Sequence, residues 1–213
     1  MIVLLDLDGT VWDSEEGIVR SAVHALESLE RTVPPRAHLV RAIGPPLHLM
    51  LAHLGVPDEH LDAGVTAYRE RYLTTGVFES ELYPGVTEML DRLADDGHTL
   101  ATATSKGEVP THTMLDHFGL TDRFAVVGAA TMDGTATTKS QVLARTLTAL
   151  GDPRPDRCRM VGDRHHDVEG ARAHGIDCIG ATWGYGGAEE LRDAGAAVLA
   201  HHPADVPGLV DRR

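Results

Sequence analysis

Basic residues are scarce in this chain: 19 lysines and arginines stand against 32 aspartates and glutamates, a formal net charge of −13 over 213 residues. Such a surface repels nucleic-acid backbones and anionic membranes, so nucleic acid is excluded as a main partner. Long hydrophobic runs are missing as well, and none approaches the ~18 apolar residues a membrane helix needs. The chain opens on Ile2 to Leu5 and then a carboxylate, with no basic segment ahead, which is not the pattern of a secretory signal. Cysteine is limited to Cys158 and Cys178, each inside a short apolar run. Reduced, buried thiols and a cytoplasmic location are expected, with no disulfide framework. What is present is ordinary for a globular protein: 42% apolar and 24% charged residues, in a length that suits one domain or a core carrying an insertion. An acidic protein can still take a small phosphorylated ligand if a metal and a few local cations overcome its field.

Short apolar runs alternate with stretches of helical period, the pattern of an α/β protein with a parallel sheet. The runs are Ile2 to Leu7, Thr99 to Ala103, Phe124 to Val127, Arg159 to Val161, Asp177 to Ile179 and Ala196 to Leu199. Between them, Val86, Met89, Leu90 and Leu93 share one helical face, as do Val142, Leu143, Thr146, Leu147 and Leu150. One interval breaks the rhythm. About ninety residues separate the first two runs, far more than one crossover helix requires. There the period is helical, with Ile18, Ala22, Leu26 and Leu29 on one stripe and Leu61, Val65, Tyr68 and Tyr72 on another. The expected organisation is a core of residues 1–13 and 83–213, with residues 14–82 inserted as a small helical domain.

Ligands of open parallel sheets bind at the carboxyl ends of the strands, so the residues there matter most. The first run ends in Asp6-Leu7-Asp8-Gly9-Thr10, the second in Thr104-Ser105-Lys106, and the fourth in Gly162-Asp163-Arg164-His165-His166-Asp167, while Lys139 opens a helix. Asp6 and Asp8 are two apart and would share one face of a strand, with Gly9 permitting a sharp turn. Two carboxylates this close need a cation or proton between them, and Mg²⁺ with its oxygen ligands suits the pair, with Asp163 as a further ligand. Capping of the following turn is the plainer use for such acids. An EF-hand is excluded, since Gly9 comes too early and the closing Glu is missing. Asp163 and Asp167 are one helical turn apart and can face the same site. Lys139 lies against its helix dipole and so needs an anion, Asp6 or a bound phosphoryl group.

Other signals carry less. Gly134 to Ser140 resembles half of a phosphate-binding loop, but Thr138 stands where the second glycine is required. Gly184-Tyr185-Gly186-Gly187 follows a late strand and reads as a turn, and His165-His166 and His201-His202 lack zinc spacing.

Four of these motifs together resemble the haloacid dehalogenase superfamily: DLDGT at Asp6 to Thr10 with its flanks, ATATSK ending at Lys106, Lys139, and VGDRHHDVEGA around Asp163. The insertion resembles that family's C1 helical cap. IGPPL at residues 43–47, YPGV at 83–86 and GATWGYGG at 180–187 are similar to phosphoglycolate phosphatase-like and 5′-nucleotidase-like members. Val11 replaces the Leu common in the family, and Trp12 is bulkier than usual; it could close over a substrate or pack at a hinge.

The resemblance implies a Rossmann-like parallel core and a Mg²⁺-dependent phosphomonoester hydrolase acting on a small phosphorylated metabolite: phosphoglycolate, a nucleoside monophosphate or a sugar phosphate. Asp6 would attack phosphorus to give an aspartyl-phosphate, and Asp8 would serve as acid and then base. Thr104, Ser105 and Lys139 would hold the phosphoryl group. The metal would sit on Asp6, the Asp8 carbonyl and Asp163, with Asp167 in support. Asp8 argues against dehalogenation, since dehalogenases of the family lack that acid. Arg20, Gly44, Arg69 and Arg71 are cap positions with surface or structural readings of their own. The alternatives are a phosphomutase of the β-phosphoglucomutase type and a catalytically silent binding protein. The enzyme is expected as a monomer or homodimer.

Overall fold

The computed structural model describes residues 1–211. In chain order its regular elements are β1 (Ile2–Leu5), β2 (Trp12–Asp13), α1 (Glu15–Ser28), α2 (Arg36–Arg41), α3 (Leu47–His53), α4 (Leu61–Tyr72), β3 (Glu81–Leu82), α5 (Val86–Asp95), β4 (Thr99–Gly107) and α6 (Glu108–His117). There follow β5 (Val126–Ala130), α7 (Lys139–Ala149), β6 (Cys158–Gly162), α8 (His165–Arg172), β7 (Asp177–Ala181), α9 (Gly187–Ala194), β8 (Val198–Ala200) and α10 (Val206–Val210). All six apolar runs become strands of one parallel sheet, ordered β5-β4-β1-β6-β7-β8.

β1 runs through the middle, Ile2 paired with Thr99 on one side and Cys158 on the other. Its side chains alternate: Val3 and Leu5 join the core that includes Met89, Leu90 and Leu93 of α5, while Leu4 joins the opposite core with Leu143 and Val168. Burial on both faces explains why these strands are continuously apolar. Cys158 and Cys178 are buried and unpaired. From β1 the chain builds outward through β4 and β5, then returns to the other side of β1 as β6. The reversal lies between β1 and β6, and open α/β sheets bind their ligands at such a crevice.

β4 is longer than the apolar run suggests. It continues through Thr104, Ser105 and Lys106, with its register to β5 shifting between Ala103 and Gly107. This irregularity re-aims side chains at the rim of the sheet, where polarity rather than hydrophobicity decides the sequence.

Helices α1 to α4 form a helical segment between β2 and β3, an antiparallel pair with Trp12 opposite Leu82. The stripe of α1 is buried at Ile18, Ala22 and Leu26, and that of α4 at Tyr68 and Tyr72, with Leu61 and Val65 packed at its edge. Among the described residues no helix is long and apolar enough to cross a membrane.

Candidate active site

β1 stops at Leu5, so Asp6 to Gly9 already belong to the loop beyond it. Gly9 takes a φ of +81°, the left-handed turn that its lack of a side chain allows. The two aspartates precede this turn, and their carboxylates have different partners. Asp6 meets Asp163 and Asp167, with a carboxylate oxygen of each within 4.8 Å of the others. The Asp8 carboxylate is engaged elsewhere: Oδ1 accepts from Trp12 Nε1 at 2.8 Å and Ser14 Oγ at 2.6 Å, and Oδ2 pairs with Lys106 Nζ at 2.9 Å. Asp6 and Asp8 still border one cavity, but they do so from the loop beyond β1 and not from the strand itself.

Lys139 is no solvated lysine. Thr138 caps α7 in a reciprocal box with Gln141, and the next residue points inward, 5% exposed. Its Nζ lies 2.7 Å from Asp6 Oδ1 and 2.8 Å from Asp167 Oδ1, and donates to the Ala103 carbonyl at 2.8 Å. Burial opposes charge on this ammonium, but Asp167 and Asp6 outweigh it and raise its pKa above the usual lysine range. Asp167 also does what a helix-start aspartate ordinarily does, accepting from Arg164 N at 3.0 Å through Oδ2. Asp163 accepts from Thr10 Oγ1 at 3.2 Å and from Tyr185 N at 2.8 Å.

Three buried carboxylates thus cluster around a single ammonium that pairs with two of them, Asp6 and Asp167, a deficit of positive charge in a largely desolvated place. Burial pushes Asp6 up to about 6 in spite of Lys139, and pushes Asp163 well above the carboxylate range with Asp167 and Asp6 adding to it. Asp6 Oδ1 and Asp167 Oδ1 have no aligned hydrogen-bond donor and rest on the ion pair with Lys139. An all-oxygen, anionic, under-compensated set fits a hard divalent cation.

The sign of the pH dependence follows. In chelator, folded Asp6 keeps its proton where the unfolded chain has lost it, so stability should fall by ~3 kcal/mol as pH rises from 3.8 through about 6. Thermal melts across that window, with and without Mg²⁺, test this. The decline should flatten with the cation and be shallower in Asp6→Asn, where Asp163 still contributes; an equal slope in that variant would assign it to other groups.

A cavity of about 120 Å³ opens beside Asp6 and Asp8, with Thr104, Ser105 and Lys106 along β4 and Tyr68 and Arg69 across from them on α4. Thr104 is 1% exposed, and its Oγ1 accepts from Lys106 N at 3.2 Å. Of the other segment positions singled out in the sequence, Gly44 also lines the cavity. Arg20 and Arg71 instead pair with Glu79, each with a contact at 2.9 Å. Trp12 does not close over the cavity. Its ring is fully buried and stacked on Phe118 at 5.5 Å, so of its two readings only packing survives, with the bond to Asp8 added.

The sequence profile of the haloacid dehalogenase-like hydrolases matches residues 3–181. The chain belongs to this family. As a haloacid dehalogenase-like hydrolase it is 38% identical over 208 residues to a 5′-nucleotidase of Pseudomonas aeruginosa, covering 97% of this chain and 92% of that one. It is 40% identical over 200 residues to the tyrosine-protein kinase PtkA of Mycobacterium tuberculosis, covering 94% of this chain and 68% of the relative. Among solved structures, a predicted phosphatase from Clostridium acetobutylicum superposes with a TM-score of 0.93 at 33% identity, over 98% of this chain and 97% of that one. This haloacid dehalogenase-like hydrolase is a phosphatase.

Three contributors to the site escaped the sequence reading. Lys106 appears there only as the end of a motif, yet it bridges Asp8 and the Tyr72 hydroxyl of α4. Arg164 donates to the Ile43 and Arg41 carbonyls and to Glu190, tying the start of α8 to the helical segment. The 184–187 turn packs on Asp163, and a Cβ at Gly184 would fall 2.2 Å from the Gly9 oxygen and 2.4 Å from Asp163 Cβ. The signal available for it was the density of glycine just past a strand end, where backbone must approach closely.

Proposed function

We propose that this phosphatase is a phosphomonoesterase for small phosphorylated metabolites, and the observation that carries the reading is the trio Asp6, Asp163 and Asp167, two of them paired with the buried Lys139, beside the cavity. Asp6 attacks phosphorus and the ester oxygen departs, taking a proton from Asp8; a water then attacks the aspartyl-phosphate, gives its proton to Asp8, and releases phosphate with Asp6 restored. Asp8 must turn from at least one of its three present donors to reach that oxygen. Thr104, with the backbone at Ser105, holds phosphoryl oxygens, and Lys139 keeps the anionic nucleophile charged and oriented. A Mg²⁺ ion held by Asp6, Asp163 and the Asp8 carbonyl, with Asp167 behind, supplies neutralisation of the transferring group. The helical segment 14–82 acts as a lid that excludes bulk water and chooses the leaving group.

Phosphate release from a panel containing phosphoglycolate, nucleoside monophosphates and sugar phosphates, with Mg²⁺ and with chelator, tests the reading. Metal-dependent release supports it and ranks the substrates. Transfer to a second hydroxyl without release would replace it by a phosphomutase, and no turnover of any ester by a binding protein.

A further inference from the structure

We propose that His165, His166 and Glu169 form a second cation site, distinct from the buried carboxylate trio and suited to a borderline d-block dication of the zinc class. The adjacent histidines alone lack zinc spacing, but Glu169, one turn further along α8, completes the set, and one donor atom from each of the three lies within 4.8 Å of the others. Asp167 falls between them in sequence but turns inward at 1% exposure, whereas His165, His166 and Glu169 occupy the outer face. The donor sets differ in kind: the inner site offers only carboxylate oxygen, the outer one two imidazoles and a carboxylate, a combination that suits Zn²⁺ and its neighbours.

The outer site has an orienting group already in place. Glu190 Oε1 accepts from Arg164 Nε at 2.8 Å, His165 N at 2.9 Å and His165 Nδ1 at 2.7 Å. A carboxylate acceptor fixes the ring proton on Nδ1 and leaves the Nε2 lone pair for a metal, the usual support of a ligating histidine. The two rings stand 3.8 Å apart between centroids. A tetrahedral ion with bonds of ~2.0–2.1 Å needs donors about 3.3 Å apart, a closure that part-exposed side chains make by rotation.

Three protein ligands leave a fourth position. The space beside it is a cavity of about 640 Å³ at the seam between the core and the helical segment, lined by His165 and His166 on one side and His38, His53 and Arg41 on the other. The fourth ligand is therefore a water or an imidazole of the helical segment.

Cu²⁺ is the probe, added to the untagged full chain with Mg²⁺ in excess to occupy the oxygen site. The expected electron paramagnetic resonance spectrum shows nitrogen couplings at one equivalent, displaced by Zn²⁺. His166→Asn should remove the couplings, and Glu169→Gln, at an exposed position, should weaken binding about tenfold without touching the core. The N-terminal amine lies 3.2 Å from His98 Nδ1 and is the competing nitrogen site, so His98→Asn is the control and should leave the spectrum unchanged. An all-oxygen spectrum, couplings that survive in His166→Asn, or couplings lost in His98→Asn would each overturn the proposal.

Discussion

Asp6→Asn should lower phosphate release by roughly 10⁴-fold or more while leaving the protein folded. The carboxamide keeps the shape of the side chain but offers phosphorus no anionic oxygen, so the first displacement cannot occur. Its effect on stability should run the other way. Asp6 is buried, held up at about 6 by that burial, and crowded by Asp167 and Asp8, so in chelator a neutral side chain removes a repulsion that Lys139 only partly offsets. The melting temperature without metal should therefore equal or exceed that of the wild type above pH 6, and the stabilisation by Mg²⁺ should shrink. Turnover and thermal melts on the same preparations check both halves. Activity within tenfold of the wild type would remove Asp6 as nucleophile, and a collapsed fold would mean that the Lys139 pair outweighs the repulsion.

The second large effect is expected at Lys139. Replacing it by Met keeps most of the stem and deletes the ammonium that faces Asp6 Oδ1, Asp167 Oδ1 and the Ala103 carbonyl. Removing one partner of a buried ion pair costs ~3–5 kcal/mol, because the remaining charge stays desolvated. At ~2–4 °C per kcal/mol for a chain of this size, the melting temperature should drop by about 6–20 °C in chelator, and turnover should fall by roughly 10³-fold. Adding Asp167→Asn removes one of the stranded charges and should recover part of the stability but none of the turnover. A single variant that melts within about 2 °C of the wild type would show that the carboxylates, not the lysine, adapt.

The fold was legible because burial on both faces of a parallel sheet writes itself into the chain as short apolar runs such as Val3 to Leu5, whatever lies elsewhere in the sequence. The carboxyl-end residues were legible for a related reason: Asp6 and Asp163 directly follow β1 and β6, and Thr104 follows the apolar part of β4, so placing the strand places the residue. What stayed hidden depends on partners far away along the chain. Lys106 looks like any lysine until α4 brings Tyr72 against it and the loop after β1 brings Asp8. Trp12 has two plausible surroundings, and only the stacking on Phe118 decides between them. Asp6 and Asp8 border one cavity, as their spacing suggests, but β1 ends at Leu5, so strand periodicity could not tell which partners each carboxylate takes.

Arg164 reaches the helical segment through main-chain carbonyls, those of Ile43 and Arg41, not through side chains. Every residue carries a carbonyl, so this attachment is indifferent to sequence. Arg41 is exposed and its side chain can change without loosening the anchor, whereas Ile43 is held by its burial in the core. A side chain at an exposed position such as 41 can therefore be exchanged while the docking of the helical segment over the acidic edge is kept.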